Sequence, residues 1–81
     1  MQVTGNIVVV TGGARGIGRA LCEAFATAGA AKVIVADLDE AGAKAVADAI
    51  GGAAFKCDVS READIQRVIE ETERQFGPIA L

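Results

Sequence analysis

The feature that most constrains this chain is a switching between two residue periods. Ile7, Val8, Val9 and Val10 form an unbroken β-branched run that ends directly in Thr11-Gly12-Gly13. Such a run, apolar without alternation, is the pattern of a strand covered on both faces of a parallel sheet. From Gly16 the spacing changes. Ile17, Leu21 and Phe25 recur every four residues, with Ala20, Ala24 and Ala28 beside them and Arg19 and Glu23 facing away, and the pattern stops at Gly29. That is helical spacing with a glycine stop. Residues 32–36, centred on Val33-Ile34-Val35, read as a second strand ending at Asp37. Asp39 can then cap a second helix in which Ala43, Val46, Ala47 and Ile50 share one face, ended by Gly51-Gly52. Residues 53–57 make a short third strand that gives way to Asp58-Val59. Ser60 is the expected N-cap of a third helix carrying Ile65, Val68, Ile69, Thr72 and Phe76 inward. Its acids Glu62 and Asp64 fall in the first turn, where the helix dipole favours them. Gly77-Pro78 breaks that helix, and Ile79, Ala80 and Leu81 have the character of the first residues of a fourth strand.

Strands that alternate with helices through short connections build a parallel sheet, because parallel neighbours need a crossover and a helix is the usual one. The expected fold is therefore α/β, a Rossmann-like parallel sheet with helices on both faces. If the strands run outward in the order one, two, three, right-handed crossovers put the first two helices on one face. The third helix must then cover the other face and return the chain to the far side of strand one. The strand order reverses beside strand one, and open α/β sheets bind ligands in the crevice at such a point, at the carboxyl ends of the strands. Residues 11–18 fall there.

Size and composition narrow the function classes. The chain has 81 residues, against roughly 100 to 200 for an ordinary domain, so it holds one small domain or part of a larger one. It is 52% hydrophobic, which is high for a small free-standing domain and predicts apolar surface meant to be covered. Eight Lys and Arg stand against eleven Asp and Glu, a net charge of −3 with the basic residues scattered, which argues against nucleic acid as a partner. No apolar run approaches the roughly 18 residues that span a bilayer, and residues 1–5 lack the pattern of a secretion signal, so a cytoplasmic protein without a membrane partner is expected. With no His, and with Cys22 and Cys57 far apart, no metal site is expected, and the two cysteines are read as buried free thiols.

The loop Thr11-Gly12-Gly13-Ala14-Arg15-Gly16-Ile17-Gly18 carries the chemistry. Its glycines permit a tight turn and a close approach of backbone to ligand, and the free N–H groups of the following helix start suit a pyrophosphate. The plain G-x-G-x-x-G spacing is absent. Asp37 stands 37 − 18 = 19 residues beyond Gly18, at the end of the second strand, close to the spacing of about 20 at which an acid accepts the ribose hydroxyls of a dinucleotide. The bland alternative is a solvated strand-end acid or a cap for the next helix. A carboxylate there repels a 2′-phosphate, whereas the Arg15 guanidinium could pair with one. With Leu38 rather than a basic residue after Asp37, the balance favours NAD over NADP.

Taken together, Thr-Gly-x-x-x-Gly-x-Gly, a second strand ending in Asp, Cys57-Asp58-Val59-Ser60 and Phe76-Gly77-Pro78-Ile79 resemble the short-chain dehydrogenase/reductase family over all 81 residues. With the loop and the second strand read this way, Gly12, Arg15, Gly16, Ile17, Gly18, Asp37 and Leu38 are expected to line the cofactor site. The resemblance implies that Asp58 accepts from the adenine amine while the Val59 N–H meets a ring nitrogen. Asp58 could equally be an ordinary turn acid. Family members go on to an Asn-Asn-Ala-Gly segment and to a catalytic Ser with Tyr-x-x-x-Lys. None of these is here: the only Ser is Ser60 and there is no Tyr. The expectation is the amino-terminal part, residues 1–81, of one incomplete dinucleotide-binding domain with no catalytic residue of its own. Its parent would be a homo-oligomer transferring hydride between NAD and an alcohol or ketone. The competing reading is a non-catalytic nucleotide-binding half-domain or an engineered fragment.

Overall fold

The β-branched runs do become strands, because each is short, flanked by turns, and apolar on both sides. The computed structural model, which describes residues 3–80, contains β1 (Ile7–Thr11), α1 (Gly16–Thr27), β2 (Lys32–Asp37), α2 (Glu40–Ile50), β3 (Ala53–Lys56) and α3 (Glu62–Phe76). The strands form one parallel sheet in the order β1-β2-β3. Val9 pairs with Ile34, and Ala36 with Phe55. β2 is the central strand, and its Val33, Ile34, Val35 and Ala36 are all buried, as two-sided cover requires.

Successive side chains of a strand point to opposite faces, so the sheet divides the core in two. On one side Val8, Val10, Val33 and Val35 meet Cys22 of α1 and Ala43, Val46 and Ala47 of α2. On the other, Ile7, Ile34 and Ala36 meet Cys57 and Val68 of α3. Helices α1 and α2 therefore share one face and α3 takes the other, as the topology predicted. Cys22 and Cys57 are buried free thiols on opposite faces of the sheet, and burial pushes both pKa values up.

Beyond α3 the chain returns to β1. Ile79 makes a parallel bridge to Ile7, and the Ala80 N–H donates to the Ile7 carbonyl at 3.0 Å. This bridge stands on the far side of β1, where the sequence places the first residues of a fourth strand. Leu81 lies outside the described residues.

Three local readings change. The face of α1 against the sheet runs through Cys22, with Phe25 and Ala26 half-buried, whereas Ile17 is 81% exposed and Leu21 43%. The reason is Gly18, where a Cβ would stand 1.9 Å from the Gly12 carbonyl oxygen; that contact sets how the helix is rotated. The residue capping α3 is Arg61, not Ser60. The Ser60 hydroxyl and N–H instead both donate to Asp58 Oδ1, at 2.6 and 3.0 Å, because a charged carboxylate two residues back is a stronger partner for the hydroxyl than the N–H donors of a helix start. β3 ends at Lys56, one residue before Cys57.

Candidate dinucleotide-binding site

The glycine loop leaves the carboxyl end of β1 and enters α1 within four residues. Gly12 takes φ +68°, a conformation that side chains disfavour, and its N–H donates to the Ala36 carbonyl at 2.8 Å, tying the loop to β2. The contact of Gly18 with Gly12 then lets the first turn of α1 close onto the strand end. No side chain caps α1 at Arg15, and its first turn holds no acid. The Arg19 N–H reaches the Arg15 carbonyl, so the N–H groups of Gly16, Ile17 and Gly18 have no acceptor within the helix. The positive end of the helix dipole and these donors favour an anion. α2, by contrast, is capped by Asp39, whose Oδ1 accepts the Gly42 N–H at 3.0 Å.

Asp37 sits at the end of β2 and turns back to the loop. Its Oδ2 accepts the Ala14 N–H at 3.0 Å and its Oδ1 accepts the Asp39 N–H at 2.9 Å. Each carboxylate oxygen can accept more than one bond, so capacity remains for hydroxyl donors. Next to it lies a cleft of about 180 Å³ lined by Gly12, Asp37, Leu38, Cys57, Asp58 and Val59. Leu38 is 61% exposed and Val59 57%, so two apolar side chains stand open to solvent around one polar acid. Asp58 is anchored: its N–H donates to Asp64 Oδ2 at 3.0 Å, and both Ser60 bonds fall on its Oδ1, leaving Oδ2 toward other donors. The Ser60 hydroxyl, then its N–H, hold the Asp58 carboxyl below the usual carboxylate range.

Of the residues singled out from the sequence, Gly12, Asp37, Leu38, Asp58 and Val59 thus converge on one cleft. Gly16, Ile17 and Gly18 form the adjoining helix start. Arg15 does not join the cleft lining; its Nη2 pairs with Asp39 Oδ2 at 2.7 Å. The sequence marks Asp39 only as a helix cap. Its spacing two residues beyond Asp37 could have raised the second role, but no local pattern tells which cation would come to it. A second, more apolar groove of about 280 Å³ lies on the α3 side, lined among others by Val9, Ile65, Val68, Ile69 and Ile79. Among the described residues no group of His, Cys, Asp and Glu is arranged to hold a metal, and no helix is long and apolar enough to cross a membrane.

Comparison with known proteins agrees with this geometry. L-fucose dehydrogenase of Oryctolagus cuniculus is 45% identical over 77 residues, which are 94% of this chain and 27% of that protein. A short chain dehydrogenase/reductase of Burkholderia phymatum, solved in complex with NAD, superposes with a TM-score of 0.89 at 31% identity, covering 98% of this chain and 30% of that one. A Brucella melitensis protein described as a ribose-5-phosphate isomerase superposes with a TM-score of 0.87 at 41% identity, covering 94% and 29%. The chain spans less than a third of each of these proteins, and one segment shared among such different names does not specify a substrate. The family model of the short chain dehydrogenases matches residues 6–81. With a parallel sheet in the order β1-β2-β3, a glycine loop at its switch point and a matching family model over nearly its whole length, this chain belongs to the short chain dehydrogenase family.

Proposed function

We propose that residues 1–81 are the amino-terminal part of a dinucleotide-binding domain that holds NAD, in a protein that transfers hydride between NAD and an alcohol or ketone. The observation that carries this reading is the convergence at the carboxyl ends of three strands. An uncapped α1 start, the Asp37 carboxylate and a cleft flanked by Leu38, Asp58 and Val59 lie side by side. A dinucleotide has the same three parts in the same order: pyrophosphate, ribose and adenine.

Each residue has a separable task. The N–H groups of Gly16, Ile17 and Gly18 would take the pyrophosphate, and the absence of a side chain at Gly18 keeps the helix start close against Gly12. Asp37 would accept the ribose hydroxyls and exclude a 2′-phosphate by charge. Leu38 and Val59 would cover the adenine, with Asp58 accepting from its amine and the Val59 N–H donating to a ring nitrogen. When bound, the nicotinamide supplies the hydride chemistry. Proton transfer would need a Tyr supported by Lys, and neither a Tyr nor a catalytic Ser lies within these residues.

The test is calorimetric titration of NAD and NADP into the complete protein that carries this segment. NAD is expected to bind more tightly than NADP. Asp37→Ala should weaken NAD by about tenfold or more, since a hydrogen bond to a charged group contributes about 1.5–3 kcal/mol, and should lower the NAD:NADP ratio. A ratio unchanged by that substitution would remove Asp37 from the ribose site.

A further inference from the structure

Arg15 was expected beside the cofactor, yet it is held elsewhere by a residue that the proposed function does not use. The Asp37 carboxylate gathers two backbone donors, Ala14 N–H at 3.0 Å and Asp39 N–H at 2.9 Å. The first donor is followed by Arg15, and the second carries its own carboxylate, so the tethers bring those two side chains together. They meet at 2.7 Å, Arg15 Nη2 to Asp39 Oδ2. The second oxygen of Asp39 is committed to the cap of α2 through the Gly42 N–H at 3.0 Å. A Cβ at position 42 would come 2.4 Å from Oδ2, so Gly42 leaves the space in which the Arg15-bound oxygen sits. Both side chains are exposed, 78% for Arg15 and 40% for Asp39, and so within reach of a ligand. A guanidinium at this place is the natural partner of a phosphate, which it meets with paired N–H donors.

Resting on the dinucleotide site proposed above, we propose that Asp39 is a positioning residue for cofactor choice: it keeps the Arg15 guanidinium engaged at the start of α2 and so withholds it from a 2′-phosphate. Selection of NAD then depends on two acids with different tasks. Asp37 repels the phosphate directly, and Asp39 occupies the one loop cation that would attract it. The Gly42 N–H, followed by Arg15, holds the Asp39 carboxyl below the usual carboxylate range, so at neutral pH Asp39 carries its charge.

Asp39→Asn separates the two tasks of this side chain. Asn caps helices as well as Asp does, so α2 keeps its cap, while the charge that engages Arg15 is lost. Titrations of NAD and NADP into the complete protein are compared for the wild type, D39N, R15Q and the D39N/R15Q double variant. An exposed ion pair holds weakly, so D39N is expected to tighten NADP binding by roughly threefold to fivefold and to leave NAD within about twofold. R15Q should erase that gain in the D39N background, and Arg15→Lys should retain part of it. A gain that persists in the double variant would come from the lost negative charge alone and would overturn the role of Arg15. If D39N leaves NADP affinity where it was while NAD still binds, the proposal falls and the dinucleotide site stands. If the wild type binds neither cofactor, the site itself is wrong and the proposal falls with it.

Discussion

At Gly18 the difference of one methyl group decides how α1 meets the sheet. A Cβ there would overlap the Gly12 carbonyl oxygen at 1.9 Å, and both atoms belong to backbone that cannot swing aside. Gly18→Ala is therefore expected to destabilise the complete protein by about 1–3 kcal/mol, the usual range for overpacking, and to weaken NAD binding by displacing the helix start. A urea titration together with NAD calorimetry checks both effects, and an unaltered midpoint would mean that the helix relaxes without loss. Asp39 supplies a pH dependence. Its folded pKa lies below the ordinary Asp value because it accepts the Gly42 N–H and the Arg15 guanidinium. Its contribution to stability is then complete above the unfolded value, near pH 3.9, and disappears as pH falls through the lowered folded value. Urea midpoints measured between about pH 5 and pH 2 should decline less steeply in Asp39→Asn than in the wild type.

The helices differ in how their ends and faces are satisfied. α2 is the most regular: Asp39 caps its start, Gly51 closes its end at φ +71°, and Ala43, Val46 and Ala47 are buried in the order that the 3.6-residue period requires. α3 is amphipathic, but only Val68 and Thr72 are buried, while Ile65 and Ile69 remain 36% and 41% exposed. Thr72 is the anomaly in this element. Its hydroxyl is fully buried and has no hydrogen-bond partner among the described residues. An unpaired buried hydroxyl costs about 1–3 kcal/mol, and Val has nearly the same shape without the polar atom. Thr72→Val should accordingly raise stability by about 1 kcal/mol, read as a higher urea midpoint at unchanged slope. A lower midpoint would show that the hydroxyl finds a partner in the complete protein.

At the scale of the whole molecule, the cofactor crevice and the apolar surfaces lie in different places. The crevice opens at the carboxyl ends of the strands, while β1 keeps an edge that is bridged to the returning chain at Ile7. Beside that edge the groove between α3 and the sheet is lined by Val9, Ile65, Ile69 and Ile79. An uncharged edge next to apolar surface is a template for pairing with another chain. Made as an isolated 81-residue polypeptide, the chain is expected to self-associate or to fold poorly, and to show no dehydrogenase activity with any alcohol. Sedimentation at about 100 μM, where weak edge pairing becomes visible, provides the check. A monodisperse, cooperatively folded monomer would contradict the first expectation, and NAD-dependent turnover by the purified polypeptide the second.

Several features of this protein are determined by sequence alone because they rest on local rules. The run from Ile7 to Val10, the four-residue helical spacing and the turn glycines establish element type and order, and right-handed crossovers then leave few topologies open. The distance from Gly18 to Asp37 follows from one strand–helix–strand unit, so the pairing of loop and acid could be read in advance. Other features exist only once the elements are docked. The exposure of Ile17 and burial of Cys22 depend on the rotation of α1, which is set by a contact between Gly18 and Gly12 rather than by periodicity. The partner of Ser60 was decided by competition between a carboxylate and a helix end, both within its reach. The engagement of Arg15 by Asp39 joins residues 24 positions apart, and it forms because Asp37 draws the backbone of both segments to one point, which only the tertiary structure can do.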